Sequence, residues 1–527
     1  MLWTKQCRME CAVANKPNNN VVTPRPFDHK RLKLLILIVA YNHENKIENV
    51  LKRIPEALTA YETEILILDD SSSDKTFEKS HQLAASLSKK FKYTVLFNPI
   101  NQGYGGNQKI GYHYAIENNF DVVALLHGDG QYAPECLPEL LQPILSGTAD
   151  AVFGSRMIES RSALRGGMPL YKYVGNTILS KYQNLVLGSS LSEFHSGYRL
   201  YSVRALASVP FELITNKFHF DTEIIIQFLR AQLRIVEIPI PTHYGDEICN
   251  VPGLRYAWDV FKSSTLAGLQ DYGILNELKF DIHTDESPAS KYESKLGFDS
   301  SHSYAVDAVP GGSKVLELGC AGNFIAHSLR KKGCTVTGID IENVAAPDVD
   351  AFFKVDLNND PLPVSPKDFD IILTLDVIEH LSQPEKFVSE LHDRLSASPD
   401  TQVIASTGNV AFFIVRLMLL LGYFNYGRRG ILERTHTRLF TFKSFIKLFN
   451  ERGFDVVSSI GVPPPYPLAF GDNVFSRCLL RLNKILIHLS RGLFSYQIYL
   501  HLKPRPSLPW LLERANDRKL NATHSDT

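Results

Sequence analysis

Cysteine, net charge and long apolar runs are all scarce in this sequence, and each scarcity excludes something. The 527 residues hold seven cysteines, Cys7, Cys11, Cys136, Cys249, Cys320, Cys334 and Cys478. The number is odd and no CxxC pair occurs, which excludes a disulfide framework or a zinc ribbon and points to a reducing, cytoplasmic setting. Lys+Arg and Asp+Glu both total 56, so the formal charge is zero. No global field points to nucleic acid, and any steering of an anionic substrate must be local. The opening MLWTKQCRMECAVANKP lacks the apolar core of a signal peptide. No uninterrupted apolar run reaches the roughly 18 residues of a membrane span. The longest candidate, Ala411 to Phe424, is broken by Arg416 and is too short.

What remains is the composition of an ordinary globular protein, 44% hydrophobic and 21% charged, long enough for two to four domains at roughly 100–200 residues each. Residues 1–31, polar with an Asn run, read as a disordered tail. Two regions then repeat one rhythm of apolar strand, turn residues and amphipathic helix. The first predicts strands at Leu34–Val39, Glu64–Leu68, Tyr93–Phe97, Val122–Leu126 and Ala151–Phe153. The second predicts them at Lys314–Leu318, Thr335–Ile339, Ala351–Val355, Ile371–Leu375 and Gln402–Ala405. Strands alternating with helices imply α/β domains with mostly parallel sheets. The expected boundaries are 32–245 for the first domain, 246–290 for a linker and connecting helix, 291–460 for the second domain, and 461–527 for a helical extension and tail.

Ligands of open α/β sheets sit beyond the carboxyl ends of the strands, and the polar residues of the first region fall there. Tyr41-Asn42-His43-Glu44 follows the first strand, Asp69-Asp70-Ser71-Ser72-Ser73-Asp74 the second, and His127-Gly128-Asp129-Gly130-Gln131 the fourth. Asp129 and Gln131 are hard oxygen donors suited to Mg²⁺ or Mn²⁺, which would also hold diphosphate oxygens. The glycines of Asn101-Gln102-Gly103-Tyr104-Gly105-Gly106-Asn107 let backbone approach a ligand. Taken singly, an Asp-Asp-Ser strand end is as well read as a turn and helix cap.

The ordered set IVAYNHE, ILDDSSSDKT, NQGYGGNQKIGYHYA, GDGQYAPE, AVFGSRM and SGYRLYS, spanning about Lys33 to Tyr244, resembles family-two glycosyltransferases of the dolichol-phosphate mannosyltransferase type. The resemblance implies a GT-A fold, a nucleotide-sugar donor and a divalent metal. It implies that Glu44, Asp69 and Asp70 serve the nucleotide, that Asp129 and Gln131 bind the metal, and that Arg156, Lys172 and Arg199 face donor or acceptor phosphates. His127 stands where the family's metal motif usually begins with Asp. Either its imidazole ligates Mn²⁺, or it is structural and Asp129 carries the metal. A polyprenyl-phosphate acceptor needs no general base, whereas a saccharide hydroxyl does. Asp221 and Glu223 are the candidates, unless they cap the helix that follows. No QxxRW motif occurs, which favours transfer of a single sugar.

In the second region, Val315-Leu316-Glu317-Leu318-Gly319-Cys320-Ala321-Gly322-Asn323 ends a strand in a small-residue turn that opens a helix. Asp340 ends the next strand about 20 residues on, where an acid bonds ribose hydroxyls. This much also fits a dinucleotide site. The later text Asp376-Val377-Ile378-Glu379-His380-Leu381 and HTRLFTFKSFIKLFNERGFDVV resembles class I methyltransferases over about Tyr292 to Val457. That implies a Rossmann-like domain with S-adenosylmethionine held by Glu317, Gly319, Gly322, Asp340 and Asp376, and Asp356 beside the adenine. Ala321 and Asn323 depart from the usual glycines. For a hydroxyl nucleophile, His380 and His436 are the base candidates, against a reading of His380 as a helix-start residue bonded to backbone. Phe412 to Phe424 and Val474 to Leu500 mix apolar residues with arginine and lysine. They read as a helical subdomain over the pocket or as a peripheral membrane contact. The whole reads as a bifunctional enzyme of glycan assembly, against rivals in which one domain alone is active or the chain is a non-catalytic binding scaffold.

Overall fold

The computed structural model describes residues 12–13, 32–159, 162–242, 252–282, 295–320, 324–342, 348–512 and 514. The chain forms two compact units, Met1–Asp271 with Asn276–Thr284, and Tyr272–Leu275 with Asp285–Thr527. Both are α/β.

The first unit holds strands β1 (Ala12–Val13), β2 (Lys33–Ala40), β3 (Glu62–Asp69), β4 (Lys92–Phe97), β5 (Val122–His127), β6 (Ala151–Ser155), β7 (Arg199–Ser202) and β8 (Ile235–Pro239), in the order β1-β8-β6-β7-β5-β2-β3-β4. β5, β2, β3 and β4 are parallel neighbours, while β7 runs antiparallel between β5 and β6. β2 shows why a continuous apolar run becomes a strand here. Leu34, Ile36 and Ile38 enter the core on one face, Leu35, Leu37 and Val39 that on the other. Both faces are covered, as parallel sheets require. The chain turns from β3 and β4 back across β2 to β5, so the carboxyl ends of β2 and β5 flank a topological switch point. Helix Gly253–Asp271 belongs to this unit: Ser263 Oγ donates to Glu223 (2.9 Å), and Thr265 bonds Tyr182 (2.6 Å).

The second unit holds β9 (Lys314–Leu318), β10 (Thr335–Asp340), β11 (Ala351–Lys354), β12 (Ile371–Leu375), β13 (Gln402–Gly408), β14 (Phe454–Val462) and β15 (Gln497–Pro504), ordered β11-β10-β9-β12-β13-β15-β14. β9 to β13 are parallel and β15 is antiparallel to both neighbours. Leu316, Ile372 and Val403 pack against helices Pro384–Leu395 and Phe442–Glu451, whereas Val315, Leu373 and Ile404 pack against Ser301–Ala308 and Phe324–Lys331. The switch point lies between β9 and β12. Beyond 460, where a helical extension and tail are expected, helix Val474–Leu489 is followed by Gln497–Pro504, a largely buried strand inside the sheet.

Candidate active sites

At the switch point of the first unit, three strand ends are bonded into one floor. Asn42, in the left-handed region at φ 59°, receives Ser73 N–H on its Oδ1 (2.8 Å) and donates its own N–H to Ser72 Oγ (2.9 Å). Glu44 N–H donates to Asp74 (3.1 Å), and Glu44 Oε2 accepts Lys75 N–H (3.3 Å). The loop after β2 is thereby fastened to the loop after β3. Asp70 fastens the third piece. Its carboxylate accepts the N–H groups of Gln102 (2.8 Å) and Gly103 (2.9 Å) and the amide of Asn98 (2.9 Å), at the N-terminal end of helix Gly103–Glu117. Asp70 thus orients the glycine-rich turn. Asp69 is fully buried, accepts Ser72 N–H (2.7 Å), and burial raises its carboxyl pKa.

Asp129 lies half-buried after β5, with Oδ1 accepting the N–H of Gln131 (2.9 Å). Among the described residues no group of three or more His, Cys, Asp and Glu side chains gathers to hold a metal. The donor set still fits a hard cation that takes most of its ligands from diphosphate and water, as Mg²⁺ does. His127 packs edge-on against Tyr104 and Tyr132, ring centroids 5.6 and 5.1 Å away, and burial lowers its pKa. A Cβ at Gly197 would stand 2.6 Å from the His127 ring, so only glycine fits beside it. Tyr104 and Tyr132, unremarked in the sequence, are what hold this imidazole: Tyr104 OH donates to Asp221 (2.7 Å), and Tyr132 OH accepts Gly197 N–H (2.7 Å).

Several expected roles are corrected by burial. Arg199 is 1% exposed and donates to the carbonyls of Ser196 (2.8 Å), Asp221 (2.9 Å) and Phe194 (2.9 Å), with the Asp221 carboxylate 3.7 Å away. It braces the loop before β7. Arg156 is buried against Glu193, which also accepts the amide of Asn176 (2.8 Å). Glu223 is buried with both oxygens engaged, Oε1 by Ser263 (2.9 Å) and Lys279 (2.6 Å) and Oε2 by Thr215 N–H (2.7 Å). Asp221 is held between Tyr104 and Arg199. The Asp221 Oδ1 is buried and accepts no hydrogen bond among the described residues. Lys172 lies half-buried in helix Leu170–Leu187.

In the second unit, Gly319 turns the chain after β9 at φ 73°, where a Cβ would stand 2.4 Å from Val377 Cγ2. Gly322, with Ala321 and Asn323, lies outside the described residues. Glu317 is buried, its Oε2 has no hydrogen-bond partner, and burial together with the nearby Asp340 pushes its carboxyl up to about 8. An unpartnered buried carboxyl beside a Cβ-less turn is what the ammonium and ribose of S-adenosylmethionine would complete. Asp340 ends β10 and accepts Glu342 N–H (2.9 Å). Asp356 is turned onto its own loop, accepting Asn358 N–H (2.9 Å) and the Asn359 amide (2.7 Å).

Asp376 follows β12 at φ 56° and accepts Ser406 Oγ (2.7 Å), Gln497 Nε2 (2.6 Å) and Lys295 Nζ (2.8 Å). Burial would raise its pKa, yet the Lys295 ammonium holds it well below the usual carboxylate range. Asp376 therefore ties the segment before helix Ser301–Ala308, and β15, to the switch point. Lys295 and Gln497 carry no motif, so the sequence offered no signal for either. Glu379 is buried, and burial followed by the Asp376 charge pushes it up to about 8. His380 and His436 meet with ring centroids 4.7 Å apart. Each Nδ1 is directed at a carbonyl, Thr435 O (3.2 Å) and Ile431 O (2.9 Å). A carbonyl only accepts, so Nδ1 carries a proton in each ring, and Nε2 is the nitrogen left to hold a lone pair. Burial, then the neighbouring His436, lowers the His380 pKa.

Residues 35–209 match the family model described as glycosyl transferase family 2, and residues 294–459 match that of a methyltransferase domain. An undecaprenyl-phosphate mannosyltransferase of Micrococcus luteus is 29% identical over 210 residues, which is 40% of this chain and 83% of that protein. A UDP-N-acetylglucosamine–dolichyl-phosphate N-acetylglucosaminyltransferase of Methanococcus voltae is 31% identical over 224 residues, 41% of this chain and 87% of that protein. Among solved structures, a glucosyl-3-phosphoglycerate synthase of Mycobacterium tuberculosis is 17% identical over 45% of this chain and 80% of its own, with a TM-score of 0.34.

Proposed function

The chain belongs to glycosyl transferase family 2 and carries a methyltransferase domain behind it, and from that premise we propose that the first unit transfers one sugar from a nucleotide-sugar donor to a polyprenyl phosphate. The observation that carries the choice of acceptor is the disposition of Asp221 and Glu223. Glu223 has both oxygens engaged, and Asp221 has Oδ2 taken by Tyr104 while Oδ1 lies buried 3.7 Å from Arg199 without a hydrogen bond, which suits an acceptor that arrives already ionised better than a saccharide hydroxyl. A phosphate oxygen of the acceptor attacks the anomeric carbon, and the bond from that carbon to the diphosphate breaks. Asp129 and Gln131 would hold Mg²⁺ or Mn²⁺, whose charge offsets the negative charge gathering on the leaving diphosphate. Glu44, Asp69 and Asp70 shape the floor under the nucleotide. Lys172 serves as the cation near the phosphates.

The second unit methylates a hydroxyl of a glycan or related small molecule with S-adenosylmethionine. Glu317, Gly319, Gly322 and Asp340 cradle the methionine and ribose, Asp356 lies toward the adenine, and Asp376 fixes the turn beside Gly319. His380, neutral and with its Nε2 lone pair available, takes the hydroxyl proton as the methyl group passes from sulfur to oxygen. His436 orients it. With a lipid-borne acceptor, the enzyme works at the cytoplasmic face of the membrane.

The test is a panel of nucleotide sugars offered with polyprenyl phosphate and divalent metal, with sugar-lipid product measured directly. Asp129→Ala lowers the rate by about 100-fold or more if it holds the cation against developing charge. Retention of full transfer by this variant sinks the metal assignment. Calorimetric binding of neither S-adenosylmethionine nor a nucleoside diphosphate with Mn²⁺ would instead make the chain a scaffold.

A further inference from the structure

One helix of the second unit is packed the wrong way round for a helix that ends in water. Val474–Leu489 turns Ser476, Leu480 and Asn483 inward, where Ser476 and Asn483 bond neighbouring backbone: Ser476 Oγ donates to Gly471 O (2.8 Å) and Asn483 Nδ2 to Phe494 O (3.2 Å). Its outward stripe is apolar: Phe475, Cys478, Leu482, Ile485 and Leu489 recur every three to four residues and are all exposed. Such spacing places them on one face. The next stripe round the helix is cationic, with Arg477, Arg481, Lys484 and His488. Arg477 pairs with Asp472 and Lys484 with Asp299, both at the surface, where such pairs are weak. From Asn473 to Phe494 there is no acidic residue.

A second exposed apolar segment adjoins it. Phe413 meets Phe494 with ring centroids 5.9 Å apart. From Phe413 the chain runs through helix Phe413–Leu420 into Leu417, Leu419, Leu420, Leu421, Tyr423 and Phe424, all exposed, Leu420 at 82%. Arg428 and Arg429 follow, and residues 411–431 also lack any Asp or Glu. Among the described residues no helix is long and apolar enough to cross a membrane.

We propose that this face of the methyltransferase unit docks on an anionic bilayer, with the Leu417–Phe424 segment and the Phe475–Leu489 stripe entering the headgroup boundary and the cations meeting lipid phosphates. An apolar stripe flanked by cations, with no acid along the helix itself and aromatic residues at its rim, is the pattern of a helix lying in the interface plane. A second copy of the chain is the other occupant such a stripe could take. Self-pairing would set the cationic stripes of two copies against each other without an acidic stripe to match, so the charge favours lipid. The inference goes beyond the proposed chemistry and stands whichever sugar or methyl acceptor is used.

The test is hydrogen exchange of the full chain, alone and with vesicles of equal parts phosphatidylcholine and phosphatidylglycerol. Expected is slower exchange of peptides covering 417–424 and 475–489 on these vesicles, lost with pure phosphatidylcholine. Leu420→Glu with Leu421→Glu weakens flotation with the vesicles by about tenfold, and Arg481→Glu weakens it with no change to the apolar surface. Unaltered exchange in both segments on anionic vesicles overturns the proposal, even if the protein floats by another surface. Equal protection without lipid, rising with protein concentration, also overturns it and assigns the face to a second copy. Sugar transfer to a short-chain, water-soluble polyprenyl phosphate is unaffected by these substitutions, which separates failure here from failure of the acceptor reading.

Discussion

Replacing Gly319 by alanine tests the S-adenosylmethionine turn through two separable effects. At φ 73° an L-residue costs about 1–2 kcal/mol relative to its right-handed conformation. The added methyl would also stand 2.4 Å from Val377 Cγ2, and because valine is stiff about χ1, relieving that overlap costs a further ~1–3 kcal/mol. Gly319→Ala should therefore destabilise the second unit by about 2–5 kcal/mol. Val377→Ala removes the wall but leaves the backbone angle. In the double variant only the backbone part should persist, giving a coupling of about 1–3 kcal/mol in favour of the pair. With two units a single unfolding midpoint is ill-defined, so the readout is urea-dependent hydrogen exchange of peptides from β9 and β12. S-adenosylmethionine affinity, measured by calorimetry, should fall in Gly319→Ala and recover only partly in the double variant. A Gly319→Ala cost under about 0.5 kcal/mol, or strict additivity with Val377→Ala, would refute the left-handed, wall-backed turn.

Glu317 gives a pH prediction. Burial and the Asp340 charge raise its pKa from 4.5 to about 8, so the folded state holds the extra proton between those values. Stability of the second unit falls as pH rises through this window and levels off above it. Glu317→Gln should flatten that slope, though not abolish it, since Glu379 is raised likewise; an unchanged slope counts against the burial. S-adenosylmethionine, whose cationic groups favour the carboxylate, should release a proton on binding near pH 7, seen as buffer-dependent heat in calorimetry; buffer-independent heat would contradict it. Lys295→Met should destabilise the second unit by about 1–3 kcal/mol by leaving the Asp376 charge with neutral donors alone; urea-dependent hydrogen exchange of the β12 peptide decides, and no loss would mean the pair is dispensable. Glu223→Gln should cost about 1–3 kcal/mol through its lost tie to Lys279 while sugar transfer per folded molecule stays constant, whereas a rate collapse at unchanged stability would restore Glu223 as a base.

The apolar strands were legible because burial on both faces writes itself as an unbroken run. Lys314–Leu318 and Ile371–Leu375 were read to the residue, and the other expected strands agree within one to three residues at each end. Among the strands that escaped, β8 is buried but interrupted by Glu237, and β7, β14 and β15 pair antiparallel. β7 is four residues long and begins with a charged one, Arg199, whose burial depends on carbonyls from Phe194, Ser196 and Asp221 that no local pattern announces. β14 alternates between half-buried and exposed positions, and β15 follows a helix rather than a recognisable turn motif.

The same reasoning explains the uneven legibility of the sites. Residues at the carboxyl ends of the central strands could be placed from sequence, because the strand itself sets where they emerge; Asp129, Glu317 and Asp340 are of this kind. Residues carried on helices and loops that return from elsewhere could not, because a carboxylate's role depends on its neighbours. Asp70, Asp221 and Glu223 look alike as candidates in sequence, yet each accepts donors that come from other loops: Gln102 and Gly103, Tyr104, and Thr215 with Lys279. These bonds engage Glu223 fully and one oxygen of Asp221, and so bear on the proposed acceptor. Under the proposed reading, the full engagement of Glu223 matches joining a sugar to an anion better than to a hydroxyl. In the methyltransferase unit His380 has a carbonyl at its Nδ1, which leaves Nε2 as the nitrogen free to act, and burial lowers its pKa. Under the proposed functions the two halves would thus differ in the nucleophile they serve, an oxyanion in one and a hydroxyl in the other.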